Sequence, residues 1–104
     1  VSGQPRVLGR VIDSFVATYG DGLPALLERE GDAAAQRLRW RRACHSARSA
    51  LGTIGAQSIL ARVMQFERRA ADDGVPLDEL ASEAVELHQE LQTLARRLSR
   101  EFDG

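Results

Sequence analysis

The chain has 104 residues, 43% of them apolar and 28% charged, with a net charge of −1. That is enough for one domain around one core, and it leaves no room for a separate catalytic or ATP-binding module. No apolar run approaches the roughly 20 residues that span a bilayer, no basic-apolar-small leader opens the chain, and the one cysteine, Cys44, has no partner for an internal disulfide. A soluble domain in a reducing, cytoplasmic compartment is expected. The start "VSGQPRV", without a methionine, suits a module of a longer protein as well as a processed terminus.

Apolar spacing predicts helices throughout, with no sustained period-two alternation and no Asn-Gly hairpin signal, so the expected fold class is all-α. The first helix runs from about Pro5 with Val7, Leu8, Val11, Ile12, Phe15 and Val16 on one stripe. "YGDGLP" should kink or break it near Tyr19, after which Leu23, Leu26 and Leu27 resume an apolar face as far as Glu30. Gly31 and Asp32 supply a stop and an N-cap for a second helix over Ala33 to about Leu51, closed by Gly52 to Gly55. A third follows from about Ala56 to Asp72 with Ile59, Leu60, Val63, Phe66 and Ala70 inward. The last, from about Leu77 to Glu101, carries Leu77, Leu80, Ala81, Ala84, Leu87, Leu91, Leu94, Leu98 and Phe102 at three-four spacing. Short connections make neighbouring helices antiparallel.

Charge is unevenly spread along these elements. Residues 33–66 hold six basic residues and no acid between two net-acidic flanks, and all 14 basic residues of the chain are arginine. On the second helix, Trp40, Ala43, Cys44, Ala47, Ala50 and Leu51 form the core stripe. His45 lies roughly 140° round from Trp40, in a band with Arg41, Arg48, Ser49 and Gly52 at about 80° to 180°. An imidazole flanked by guanidinium groups, with a small residue and a glycine beyond it, has the content of an anion site: arginines at those offsets reach a phosphoryl group carried by the ring. A solvated arginine-rich face is the plain alternative.

Other chemistry-bearing residues point elsewhere. Cys44 falls about 100° from His45, on the core face, so a cysteine-histidine nucleophile is not expected. His88 borders the core stripe of the last helix, without a second ligand at metal spacing. Trp40 and Phe66 sit at core positions, which speaks against a base-stacking surface.

Residues 45–56, "HSARSALGTIGA", resemble the active helix of histidine-containing phosphotransfer (HPt) domains, whose pattern is His-x-x-Lys-Gly followed by small residues and a glycine. "FVATYGDGLPALL" and "VMQFERRAADDG" resemble segments before and after that helix in the same family, and about 95 of the 104 residues fit. Arg48 stands where the family usually has lysine, which keeps the charge and adds a bidentate option; Ser49 stands where it usually has glycine, one turn beyond His45.

The resemblance implies a four-helix up-down bundle formed by residues 1–104 as a single HPt-like domain, of the kind also found within hybrid sensor kinases. It implies that His45 accepts a phosphoryl group from a receiver aspartate and passes it to another receiver, without autokinase activity. Arg48 would compensate phosphoryl charge, with Arg41, Ser49 and Gly52 in support. Glu67, 22 residues after His45, falls where some relatives carry a residue near the histidine; it either orients the imidazole or is solvated. Leu38 and Arg42 are expected at the docking surface, although Leu38 packs equally well under the first helix. The expected partners are response-regulator receiver domains, including that of a parent hybrid kinase, and the acidic receiver pocket would contribute the Mg2+. No cofactor or metal is expected on this chain, and neither is contact with a membrane or nucleic acid. A helical adaptor that binds receivers or kinases without carrying phosphate is the rival expectation, and a nucleic-acid face on the basic helix a third.

Overall fold

The computed structural model describes residues 4–29 and 31–103. Among the described residues it contains four α-helices and one 3-10 turn and no strand. The side chains of Val7, Leu8 and Phe102, and Glu30 altogether, lie outside the described part.

Helix α1 (Gln4–Tyr19) turns Ile12, Phe15 and Tyr19 into the core and stops where the glycines begin. Its end is closed by a hydrogen bond from the Gly22 N–H to the Tyr19 carbonyl at 2.8 Å, with Gly22 in the left-handed region at φ 78°. The expected break near Tyr19 is present, and beyond it Leu23 and Leu26 again turn toward the core, while Glu30 lies outside the described residues. Pro24 starts only a single 3-10 turn, Pro24–Leu26, which buries Leu26 and leaves Leu27 47% exposed. Pro fixes the first φ but has no N–H, and one turn has too few hydrogen bonds to propagate past it.

Helix α2 (Ala33–Ile54) begins as expected: the Asp32 carboxylate accepts from the Ala35 N–H at 2.8 Å, after Gly31 at φ 80°. Asp32→Ala should cost about 1 kcal/mol, read as a lower urea midpoint with an unchanged slope. The helix continues through Gly52, three residues beyond the expected end at Leu51, and stops at Gly55. There the Gly55 N–H reaches the Gly52 carbonyl and the Ala56 N–H the Leu51 carbonyl, a left-handed glycine closure. Helices α3 (Gln57–Ala70) and α4 (Leu77–Asp103) complete the chain.

Trp40, Cys44, Ala47 and Leu51 of α2 are wholly buried against Val63 and Phe66 of α3 and Leu80, Ala84, Leu87 and Leu91 of α4. The Trp40 and Phe66 rings meet at 5.9 Å in a tilted pair. Ion pairs fix the antiparallel register: Arg48 with Glu67 between α2 and α3, and Arg62 with Glu90 and Arg69 with Glu83 between α3 and α4. Arg37 ties α2 to the α3–α4 turn by donating to the carbonyls of Ala70, Asp72 (2.9 Å) and Val75.

The bundle is elongated, 50 × 21 × 19 Å. Helix α1 pairs mainly with α4 and less with α2, which it flanks near Ala50, Thr53 and Ile54; the 3-10 segment packs on both α2 and α4. That segment is pinned to α4, where the Leu23 N–H donates to the His88 Nδ1 at 3.0 Å. His88 is thus more than a boundary residue. It accepts through Nδ1, which puts its neutral-form proton on Nε2, and it cross-links the break to the longest helix.

Candidate functional site

The core stripe of α2 dictates what its opposite face presents. With Trp40, Cys44, Ala47 and Leu51 inward, Arg41, Arg42, His45, Ser49 and Gly52 are exposed. His45 sits in a shallow open depression lined by Leu38, Arg41, Arg42, His45, Ser46 and Glu67. Leu38 is 42% exposed on its rim and is not packed under α1, which decides between the two placements open to it from the sequence.

Arg48 departs from the expected exposed stripe. It is half-buried, and its Nη1 donates to Glu67 Oε2 on α3 at 3.2 Å. At about 80° from the core centre, its side chain leans over the α2–α3 seam rather than out with His45. Glu67, the first acid after the basic segment, is therefore engaged with Arg48. Its other oxygen, Oε1, is buried without a hydrogen-bond partner.

Ser49 and Gly52 are exposed but do not line the depression. The Ser49 carbonyl accepts from Thr53 Oγ1 at 2.9 Å, a bond along the helix. A methyl group placed on Gly52 would meet nothing within 4 Å, so the surface one to two turns beyond His45 is open to an approaching molecule. Ser46 is the residue the helical wheel missed. It lies about 100° past His45, outside the selected band, yet it lines the depression; its four-residue offset from Arg42 was the available signal.

Cys44, next to His45 in sequence, is wholly buried, and burial together with the Glu67 charge pushes its thiol up to about 12. It stays protonated at neutral pH and takes no part as a nucleophile. Among the described residues, no three His, Cys, Asp or Glu side chains are grouped so as to hold a metal ion. Nor is any helix long and apolar enough to cross a membrane.

The arrangement offers an accessible imidazole with several guanidinium groups around it on a rigid helix. Such a group can accept an electrophilic phosphoryl group and stabilise its charge. No family model, no curated protein and no solved structure matches the chain.

Proposed function

We propose that this domain is a phosphoryl carrier of a two-component relay, with His45 as the residue that takes up and hands on the group. The observation that carries this reading is the outward placement of His45 in an open depression bordered by Arg41 and Arg42, on a helix whose opposite face is locked into the core. The resemblance of residues 45–56 to the HPt active helix supports it.

In this reading the neutral imidazole, with its proton on Nδ1, attacks the phosphorus of a receiver's aspartyl phosphate through Nε2. The N–P bond forms as the P–O bond to the aspartate breaks, and the receiver carboxylate leaves with the electron pair. The Nδ1 proton remains on the phosphoimidazole or passes to water. Onward transfer is the reverse step toward a second receiver. The receiver brings Mg2+ in its acidic pocket, and the basic face of α2 supplies the complementary charge for docking, with Leu38 as an apolar contact.

The test is to incubate the domain with a panel of radiolabelled phospho-receivers. Acid-labile, alkali-stable label on the wild type that is absent from His45→Gln supports the carrier; no label from any receiver overturns it.

A second reading, a receiver-binding adaptor that carries no phosphate, is favoured by one feature: Arg48, the cation that best matches the family lysine, is already held by Glu67. The adaptor predicts receiver binding without label, so the same experiment separates the two.

A further inference from the structure

The carrier reading asks Arg48 to compensate phosphoryl charge, but its guanidinium is committed across the helix seam to Glu67, 3.2 Å from Nη1 to Oε2. The side chains are 37% and 23% exposed, so solvent screens this pair only in part. Glu67 also borders the His45 depression and is the one acid among the described residues lining it, with Oε1 buried and unpartnered. A phosphoryl group on His45 adds up to two negative charges to this corner. Arg48 does not itself line the depression, but its partner Glu67 does, so a loaded His45 would compete with Glu67 for Arg48, and a Glu67 without its partner would be a poorly solvated charge beside another anion.

We propose that Glu67 is a latch. It is a positioning residue that holds Arg48 in the empty state and, through its charge, disfavours the loaded state, so that His45 gains a phosphoryl group reluctantly and gives it up readily. The inference rests on the phosphotransfer reading of His45, and it concerns how strongly that site holds its cargo. A neutral side chain at position 67 would release Arg48 to the phosphoryl group and turn a passing station into a store.

Phosphoramidate, a small donor that needs no protein partner, tests the latch separately from the relay. In that reaction the N–P bond of the donor breaks, ammonia leaves, and the phosphoryl group is joined to Nε2. Phosphorylation of His45 followed by intact-protein mass spectrometry should be about three- to fivefold faster in Glu67→Gln than in wild type, the size of one partly screened charge interaction. Arg48→Gln should be slower than wild type. In the double variant Glu67→Gln with Arg48→Gln, the gain should shrink to less than half, because the latch acts through Arg48. Glu67→Asp, which keeps the charge, should return the rate toward the wild-type value. A merely structural role would move the melting temperature and not this order.

The latch is overturned if Glu67→Gln is no faster than wild type, if Glu67→Asp is as fast as Glu67→Gln, or if the full gain persists without Arg48. A domain that shows the predicted order with phosphoramidate but takes no label from any receiver keeps the latch and loses the relay. Label from a receiver with no difference between wild type and Glu67→Gln keeps the relay and loses the latch.

Discussion

Exchanging His45 for glutamine is expected to remove all acid-labile phosphoryl label while leaving the fold as stable as before. Glutamine matches the length and polarity of the imidazole but has no basic nitrogen, so the N–P bond has no atom on which to form. The residue is exposed on α2, outside the buried set that holds the helix, and none of the hydrogen bonds that fix the register runs through it. Surface changes of this kind stay within about 0.5 kcal/mol, so thermal melts of the two proteins should superimpose. Docking should survive too, because Arg41, Arg42 and Leu38 remain on the surface. Loss of label with binding retained is the signature of a lost nucleophile. Label that persists in the variant would place the acceptor elsewhere, and His88, the other histidine, offers only a ring engaged with the Leu23 N–H.

Gly22→Ala is expected to be strongly destabilising for the addition of a single methyl group. At φ 78° any Cβ is strained, by about 1–2 kcal/mol. Here the new atom would also lie 2.5 Å from His88 Cε1 and Nδ1 and 2.9 Å from the His88 carbonyl oxygen. The ring can retreat only by giving up the Leu23 N–H, and the backbone oxygen belongs to α4 and cannot retreat. Overpacking of this kind adds about 1–3 kcal/mol, and the lost hydrogen bond about 1 more. The sum, about 3–6 kcal/mol, is a large part of the 5–15 kcal/mol typical of a domain. Gly55→Ala is the internal control: its φ of 76° is nearly the same, but nothing lies within 4 Å of the added atom. Urea midpoints should show Gly55→Ala losing only the conformational part. Equal losses for the two variants would mean that the contact with His88 contributes nothing.

The helices were legible in the sequence where their signals are local. Asp32 and Gly31 mark the start of α2 because a cap depends on residues three positions apart. The outward direction of His45 followed from helical period alone, since four wholly buried residues of α2 fix the rotation of the helix. Helix α2 ends three residues beyond Leu51 because Gly52, a weak helix former, is tolerated in the interior while the closure needs the left-handed Gly55. Leu23, Leu26 and Leu27 have helical spacing but too short a run after Pro24 to sustain a helix. What the sequence withheld were contacts between distant positions: Arg48 with Glu67, His88 with Leu23 and Arg37 with the α3–α4 turn. Each depends on the register of one helix against another, which no periodicity encodes. The neighbourhood of His45 was therefore readable, whereas the company Arg48 keeps was not.

The Arg37 fork carries a consequence for the order in which the molecule opens. By joining the end of α3, the following turn and the start of α4 to one side chain of α2, it makes α2, α3 and α4 a single cooperative unit, with Trp40 and Phe66 at its centre. Among the described side chains of α1 there is no such tie, and only Ile12, Phe15 and Tyr19 of them are buried. Its amide protons should exchange with deuterium well before those of α2, through a partial opening that leaves the face around His45 undisturbed. The chain would then divide into a durable frame that carries the histidine and a detachable cover that does not touch it.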